Sequence, residues 1–198
     1  MKYLLICLLL ISTSLVKSGD LDSVSHRHFL IPDYAKTQFA GNIGFLSIGP
    51  GYWYASKKME LDIMYGFVPK NAGGVLHSLT LKNTWIPFKK ICVGKNTELD
   101  PLTLGIPLSY TFGKQFFFIA PQDQYPKRYY DYSSALRVGV FAGGKVRQKL
   151  SPSYLIKEAS LYYELGTYDL LIHNYIIYKD NMRFGDIFSL GLGLQFSF

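Results

Sequence analysis

From Phe188 to the last residue the chain alternates without a break. Phe188, Leu190, Leu192, Leu194, Phe196 and Phe198 fall on one side, and Ser189, Gly191, Gly193, Gln195 and Ser197 on the other. Successive side chains of a β-strand point to opposite faces, so this segment reads as a strand with one apolar face and one small, polar face. The design recurs over 102–112, where Leu102, Leu104, Ile106, Leu108, Tyr110 and Phe112 oppose Thr103, Gly105, Pro107, Ser109 and Thr111. Residues 58–67, 135–147 and 158–165 repeat it with charges on the second face. Two weaker runs cover 75–86 and 39–54. Turn-forming clusters at 55–57, 69–74, 95–101 and 149–152 separate most of these segments. No internal repeat, linker or charge block divides the 198 residues, so the chain reads as one all-β domain.

Two stretches break the pattern. Residues 114–121 are apolar on both faces and lead into the polar, aromatic loop 122–134. Residues 167–178 read either as a short helix, with Tyr168, Leu171, Ile172, Tyr175 and Ile176 at helical spacing, or as a further strand. One of the two is expected to complete an even strand count.

The N-terminus reads as an address. Lys2 is followed by an apolar run from Tyr3 to Val16, and Val16 and Ser18 suit a small-residue cleavage site, which predicts a secretory signal peptide over residues 1–18. The run is short for a membrane-spanning helix, and Ser12, Thr13 and Ser14 interrupt it. Its removal takes away Lys2 and Lys17 and lowers the formal charge from +7 to +5. Cys92 then remains as a single cysteine, so no intramolecular disulfide is expected. Residues 19–38 read as an N-terminal periplasmic segment, and 39–198 as the β domain.

A soluble sandwich also alternates. Here, however, the apolar faces run for five or six positions, enough to cross a bilayer when strands tilt by about 45°. The opposite faces carry Gly, Ser, Thr and charges of both signs, which suits a polar barrel interior. An aromatic last residue on an amphipathic last strand, with Leu194, Phe196 and Phe198 in alternation, resembles the sorting signature of Gram-negative outer-membrane proteins. Over 39–198 the chain thus resembles the small, eight-stranded outer-membrane β-barrels of Gram-negative bacteria, on pattern rather than on any unique motif. The resemblance implies a closed antiparallel transmembrane β-barrel, lodged in the cell outer membrane, with both termini on the periplasmic side. Outer-membrane lipid, including lipid A phosphates, and the outer-membrane assembly machinery are the expected partners. Nucleic acid and cofactors are not expected. Tyr52, Trp53, Tyr54, Tyr65, Trp85 and Tyr110 would form interfacial girdles.

The second faces supply the candidate site. Glu60, Asp62, Glu158 and Glu164 would meet Lys82, Arg137, Lys145 and Arg147 inside the barrel. Eight strands leave room only for side chains, so an ion-paired plug is favoured over a conducting path. An enzyme acting on lipid A or phospholipid acyl chains is the second reading. It needs a nucleophile and a base within hydrogen-bond reach. His77 and Ser78 are adjacent and so face opposite ways, while Ser133, Ser134 and His173 lie in irregular segments. His26 and His28 have no third ligand nearby and do not make a metal site. A soluble secreted barrel binding an apolar ligand is the third reading. The basic pairs Lys89–Lys90, Lys127–Arg128 and Lys179/Arg183 read as loop groups able to meet lipid phosphates.

Overall fold

The computed structural model describes residues 31–117, 133–150, 155–177 and 182–198. Among them nine strands form. They are β1 (Tyr34–Ala40), β2 (Leu46–Tyr54), β3 (Met59–Val68), β4 (Leu76–Trp85), the two-residue β5 (Ile91–Cys92), β6 (Thr97–Phe112), β7 (Leu136–Lys149), β8 (Glu158–Tyr168) and β9 (Ser189–Ser197). One helix, α1 (Asp169–Ile177), lies between β8 and β9.

Each long strand pairs antiparallel with its neighbour in sequence, β4 pairs with β6, and β9 returns to β1. Eight strands therefore close into an up-and-down barrel, and β5 adds a short hairpin beside the start of β6. Closure leaves the ring of eight long strands without a free edge, so its backbone N–H and C=O groups find partners within it. Phe198 N–H donates to Asp33 O at 3.1 Å, which brings the two ends of the barrel domain together at one rim. Connections 41–45 and 69–75, the described ends 113–117 and 133–135 of the β6–β7 connection, and residues 169–177 and 182–188 lie at the opposite, far rim.

The eighth strand comes from an unexpected place. The barrel starts at Tyr34, not at 39, and the end of the segment read as periplasmic is β1, paired with both β2 and β9. Its outward residues, Ala35, Thr37 and Phe39, make a poor apolar face, so alternation was weak there. Residues 169–177 form the helix of the two alternatives, and 114–117 contribute no strand. The signal peptide expected over 1–18, His26, His28, and residues 118–121 lie outside the described residues.

A bulge in β6 reverses the alternation. Asp100 pairs with Lys145 and Thr103 with Gly143, so β6 spends one residue more than β7 between these points. Pro101 occupies the bulge, where a missing N–H disturbs no ladder. Asp100 and Thr103 consequently both point inward.

The two sides of the wall differ in kind. Leu190, Leu192 and Leu194 of β9 are 53%, 49% and 43% exposed on the outside, and Ile106, Leu108, Val138, Val140, Leu161 and Leu165 share that surface. Inside, large side chains lie on glycines. A Cβ at Gly51 would come within 2.0 Å of the Tyr34 ring, and one at Gly193 within 2.3 Å of Tyr162, so only glycine lets these rings lie across the neighbouring strand and reach the next one. Outward aromatics cluster near each rim. Tyr54 and Trp85 stand near the rim where β1 begins and β9 ends, and Phe39, Tyr65, Phe67, Tyr110 and Phe112 near the far one. Trp53, expected among them, faces inward instead. Its ring packs on Tyr34 at 5.1 Å and its indole N–H donates to Glu60 at 3.3 Å, because Trp53 stands opposite inward-facing Glu60 in the β2–β3 register.

Candidate functional site

The interior of the barrel holds a network of buried charge. On β3, two residues apart and hence on one face, Glu60 and Asp62 both point inward and are fully buried. Lys36 of β1 reaches between them, 3.0 Å from Glu60 Oε2 and 2.7 Å from Asp62 Oδ2. Tyr34, two residues before Lys36, donates its hydroxyl to Asp62 Oδ1 at 2.6 Å. From across the interior, Lys145 of β7 donates to Glu60 and, at 2.7 Å, to Gln195 Oε1. Arg147, again two residues on, binds Asp100 through Nε at 2.6 Å and Glu158 through a terminal nitrogen at 3.3 Å. It also lies 3.6 Å from Glu60.

A second group sits beside the first. Lys82 of β4 donates to both oxygens of Glu164 on β8 and to Gln38 Oε1, each at 2.9 Å. The Tyr162 ring joins the two groups, with the Lys36 ammonium 5.1 Å and the Lys82 ammonium 5.3 Å from its centroid. An ammonium over an aromatic face is attracted by the ring quadrupole, so Tyr162 offsets repulsion between two cations in a confined space. Its hydroxyl donates to Thr37 O at 3.1 Å.

Of the eight residues expected in this cluster, the structure brings together Glu60, Asp62, Lys82, Lys145, Arg147, Glu158 and Glu164, with Glu158 at the edge. Arg137 does not join them. It stands at the far end of β7, eight residues or roughly 26 Å along the strand from Lys145. Among the described residues it pairs with Asp169, at 3.9 Å, in the first turn of α1. Sequence reasoning missed Tyr34, Lys36 and Gln38, which belong to the unrecognised β1, and Asp100, which the bulge turns inward. A parity shift around Pro101 was the available signal for Asp100. Leu194 and Phe196 lie on or near the outer wall of β9, and Phe198 closes the rim against Asp33.

Buried ions are tolerable only when paired and hydrogen-bonded. Here each buried ammonium and carboxylate of the network has a partner of opposite sign. Space beside Lys82 and Glu164 is correspondingly scarce. The cavity lined by Ile43, Lys82, Phe141, Glu164 and Tyr168 measures about 10 Å³, room for about one water. The arrangement cross-braces strands on opposite sides of the interior.

The groups considered for catalysis do not converge. His77 Nδ1 lies 2.5 Å from the Tyr65 hydroxyl on the outer wall, whereas Ser78 donates to Ile43 O at 2.8 Å. Ser133 and Ser134 are engaged with the backbone at Phe117. His173 lies in α1, on a different connection. Of the basic pairs, Lys90 binds Glu98 at 2.9 Å, while Lys127, Arg128 and Lys179 lie outside the described residues.

No protein-family model matches the chain, and no curated protein sequence matches it. One solved structure, titled "De novo design of transmembrane beta-barrels", aligns with 85% of this chain and 98% of its own length. The identity is 13% and the TM-score 0.36, a level of similarity that defines no family.

Proposed function

We propose that this chain is a small integral β-barrel of a bacterial outer membrane, with a structural or interaction role and an interior closed by ion pairs. The observation that carries the reading is the inverted distribution of polarity. Buried polar and charged residues outnumber buried apolar ones among the described residues, while long rows of Leu, Ile, Val, Phe and Tyr stand exposed on the outer wall. Water penalises that arrangement, because contiguous apolar surface of this extent is rare on soluble monomers. A bilayer rewards it, provided the sheet closes and its polar side faces inward. A soluble barrel for an apolar ligand would need the opposite, an apolar cavity within and a polar wall without.

The exposed loops at the far rim are then the surface offered to partners, and the termini face the periplasm. The first test is fractionation. The protein should pellet with membranes, resist extraction by alkaline carbonate, and migrate differently on a denaturing gel before and after boiling. Recovery of folded protein in the soluble fraction overturns the reading. Planar-bilayer recording tests the closed interior, since a steady large conductance contradicts it.

A further inference from the structure

Helix α1 has no polar face. Between Leu170 and Ile177 the polar residues are His173 and Asn174, and apolar side chains occupy every other direction around the axis. A helix that is apolar all round belongs in an apolar setting. Yet none of its residues is buried, and Ile176 and Ile177 are 70% and 55% exposed. Phe184, 61% exposed, continues the patch, packing edge-on against Tyr175 at 5.9 Å and Phe188 at 5.1 Å.

The position of this patch indicates what covers it. The helix leaves β8 just beyond outward Leu165 and packs against β7 and β8, and the chain re-enters the wall at Phe188 just before outward Leu190. It therefore continues the apolar outer wall past the strand ends. At the far rim β1, β3, β4 and β6 carry Phe39, Tyr65, Phe67, His77, Tyr110 and Phe112, whereas the outward residues of β7 and β8 at that level are Leu136, Val138 and Leu165. Tyr175, Phe184 and Phe188 supply aromatic rings in the sector where the strands have none.

Resting on the membrane reading above, we propose that α1 is an interfacial helix, laid into the headgroup–acyl boundary of the leaflet at the far rim. Its partner is the lipid surface itself. The Arg137–Asp169 contact tethers its first turn to the barrel mouth, and the uncharged remainder rests in lipid. Amphipathic helices use one face for such contact. This one has no charged face to keep in water, so immersion is deeper and the barrel rim sets its depth.

The test is depth-resolved quenching on the full chain, with Cys7 and Cys92 replaced by Ser. Single cysteines, Ile176→Cys or Leu192→Cys, carry an environment-sensitive fluorophore in phosphatidylcholine vesicles. A gel shift on boiling verifies folding, and Ile177→Cys substitutes for Ile176→Cys if that variant does not fold. Both labels should lose most of their emission to lipid-borne nitroxide and little to aqueous iodide, with α1 quenched by shallow nitroxides and Leu192 by deeper ones. If Leu192 is quenched from lipid but the α1 label yields to iodide, the interfacial helix is refuted and the barrel reading stands. If the α1 label is shielded from both quenchers, protein covers it, and the lipid assignment fails. If neither label is quenched from lipid, the membrane reading itself fails.

Discussion

Neutralising Glu60 and Lys145, singly and together, measures whether the interior is a plug or a wet pore. Glu60 is fully buried and takes Lys36 at 3.0 Å, Lys145, and the Trp53 indole at 3.3 Å, with Arg147 at 3.6 Å. In Glu60→Gln, Lys36 keeps Asp62, but Lys145 loses its carboxylate and is left with neutral amide oxygens, that of Gln195 and that of the new side chain. Removing one member of a buried pair strands the other charge, at about 3–5 kcal/mol. Lys145→Met should cost less within that range, because Glu60 retains Lys36 and Arg147. The double variant restores neutrality, so its cost should fall below the sum by about 0.5–3 kcal/mol. Had water filled the bore, each charge would be screened, and each single change would cost about 0–1 kcal/mol. Equilibrium urea unfolding in lipid vesicles, followed by Trp53 and Trp85 fluorescence, reads all four corners of the cycle. Single costs below about 1 kcal/mol that simply add would refute the plug.

Three further outcomes follow from the geometry. Leu192→Arg should cost about 2–4 kcal/mol in vesicles if its site lies near the bilayer midplane; a change within about 0.5 kcal/mol, normal for a solvated surface, would place that wall in water. Gly193→Ala sets a methyl 2.3 Å from Tyr162 and 2.4 Å from the Thr37 carbonyl, so it should cost about 1–3 kcal/mol in the same unfolding assay, against little for exposed Gly185→Ala. At the rim, level with outward Thr97 and Gln148 where the apolar wall ends, Glu98 accepts from Lys149 and Lys90, which hold its carboxyl down to about 2. Its folded pKa lies below the unfolded value of about 4.3, so its contribution is complete above that value and is lost as pH falls toward about 2. Proteolysis of the 86–96 hairpin should accelerate over that interval, and Glu98→Gln should remove the dependence.

The legible part of the fold was the part with strong contrast between faces. β9, β6 beyond the bulge, β7, β3 and β8 announced themselves because leucines, isoleucines and valines alternate with Gly, Ser, Thr and charge. β1 did not, since Ala35 and Thr37 are hardly less polar than small inward residues elsewhere, and Lys36 resembled the solvated charge of a tail. Asp100 was hidden because a bulge inverts parity without altering composition. Arg137 had the right parity but the wrong height, and periodicity carries no information on height. The partnership of Lys82 with Glu164 was equally invisible. Its directly opposed neighbour, Asp62, is spoken for by Lys36 and Tyr34, and the partner chosen lies on a strand 82 residues away.

The cross-braces also constrain the order of events in assembly. Glu60 and Lys145 stand on β3 and β7, Lys82 and Glu164 on β4 and β8, and neither couple can meet while the ribbon is flat. Until β9 docks on β1, these two couples stay apart, and their ions face water or a strand neighbour such as Asp62 opposite Lys82. Curling the sheet, shedding that hydration and joining opposite charges are therefore a single concerted act. A chain arrested before its last strand would present a ribbon of wet ions on its concave side, with no means of entering hydrocarbon unaided.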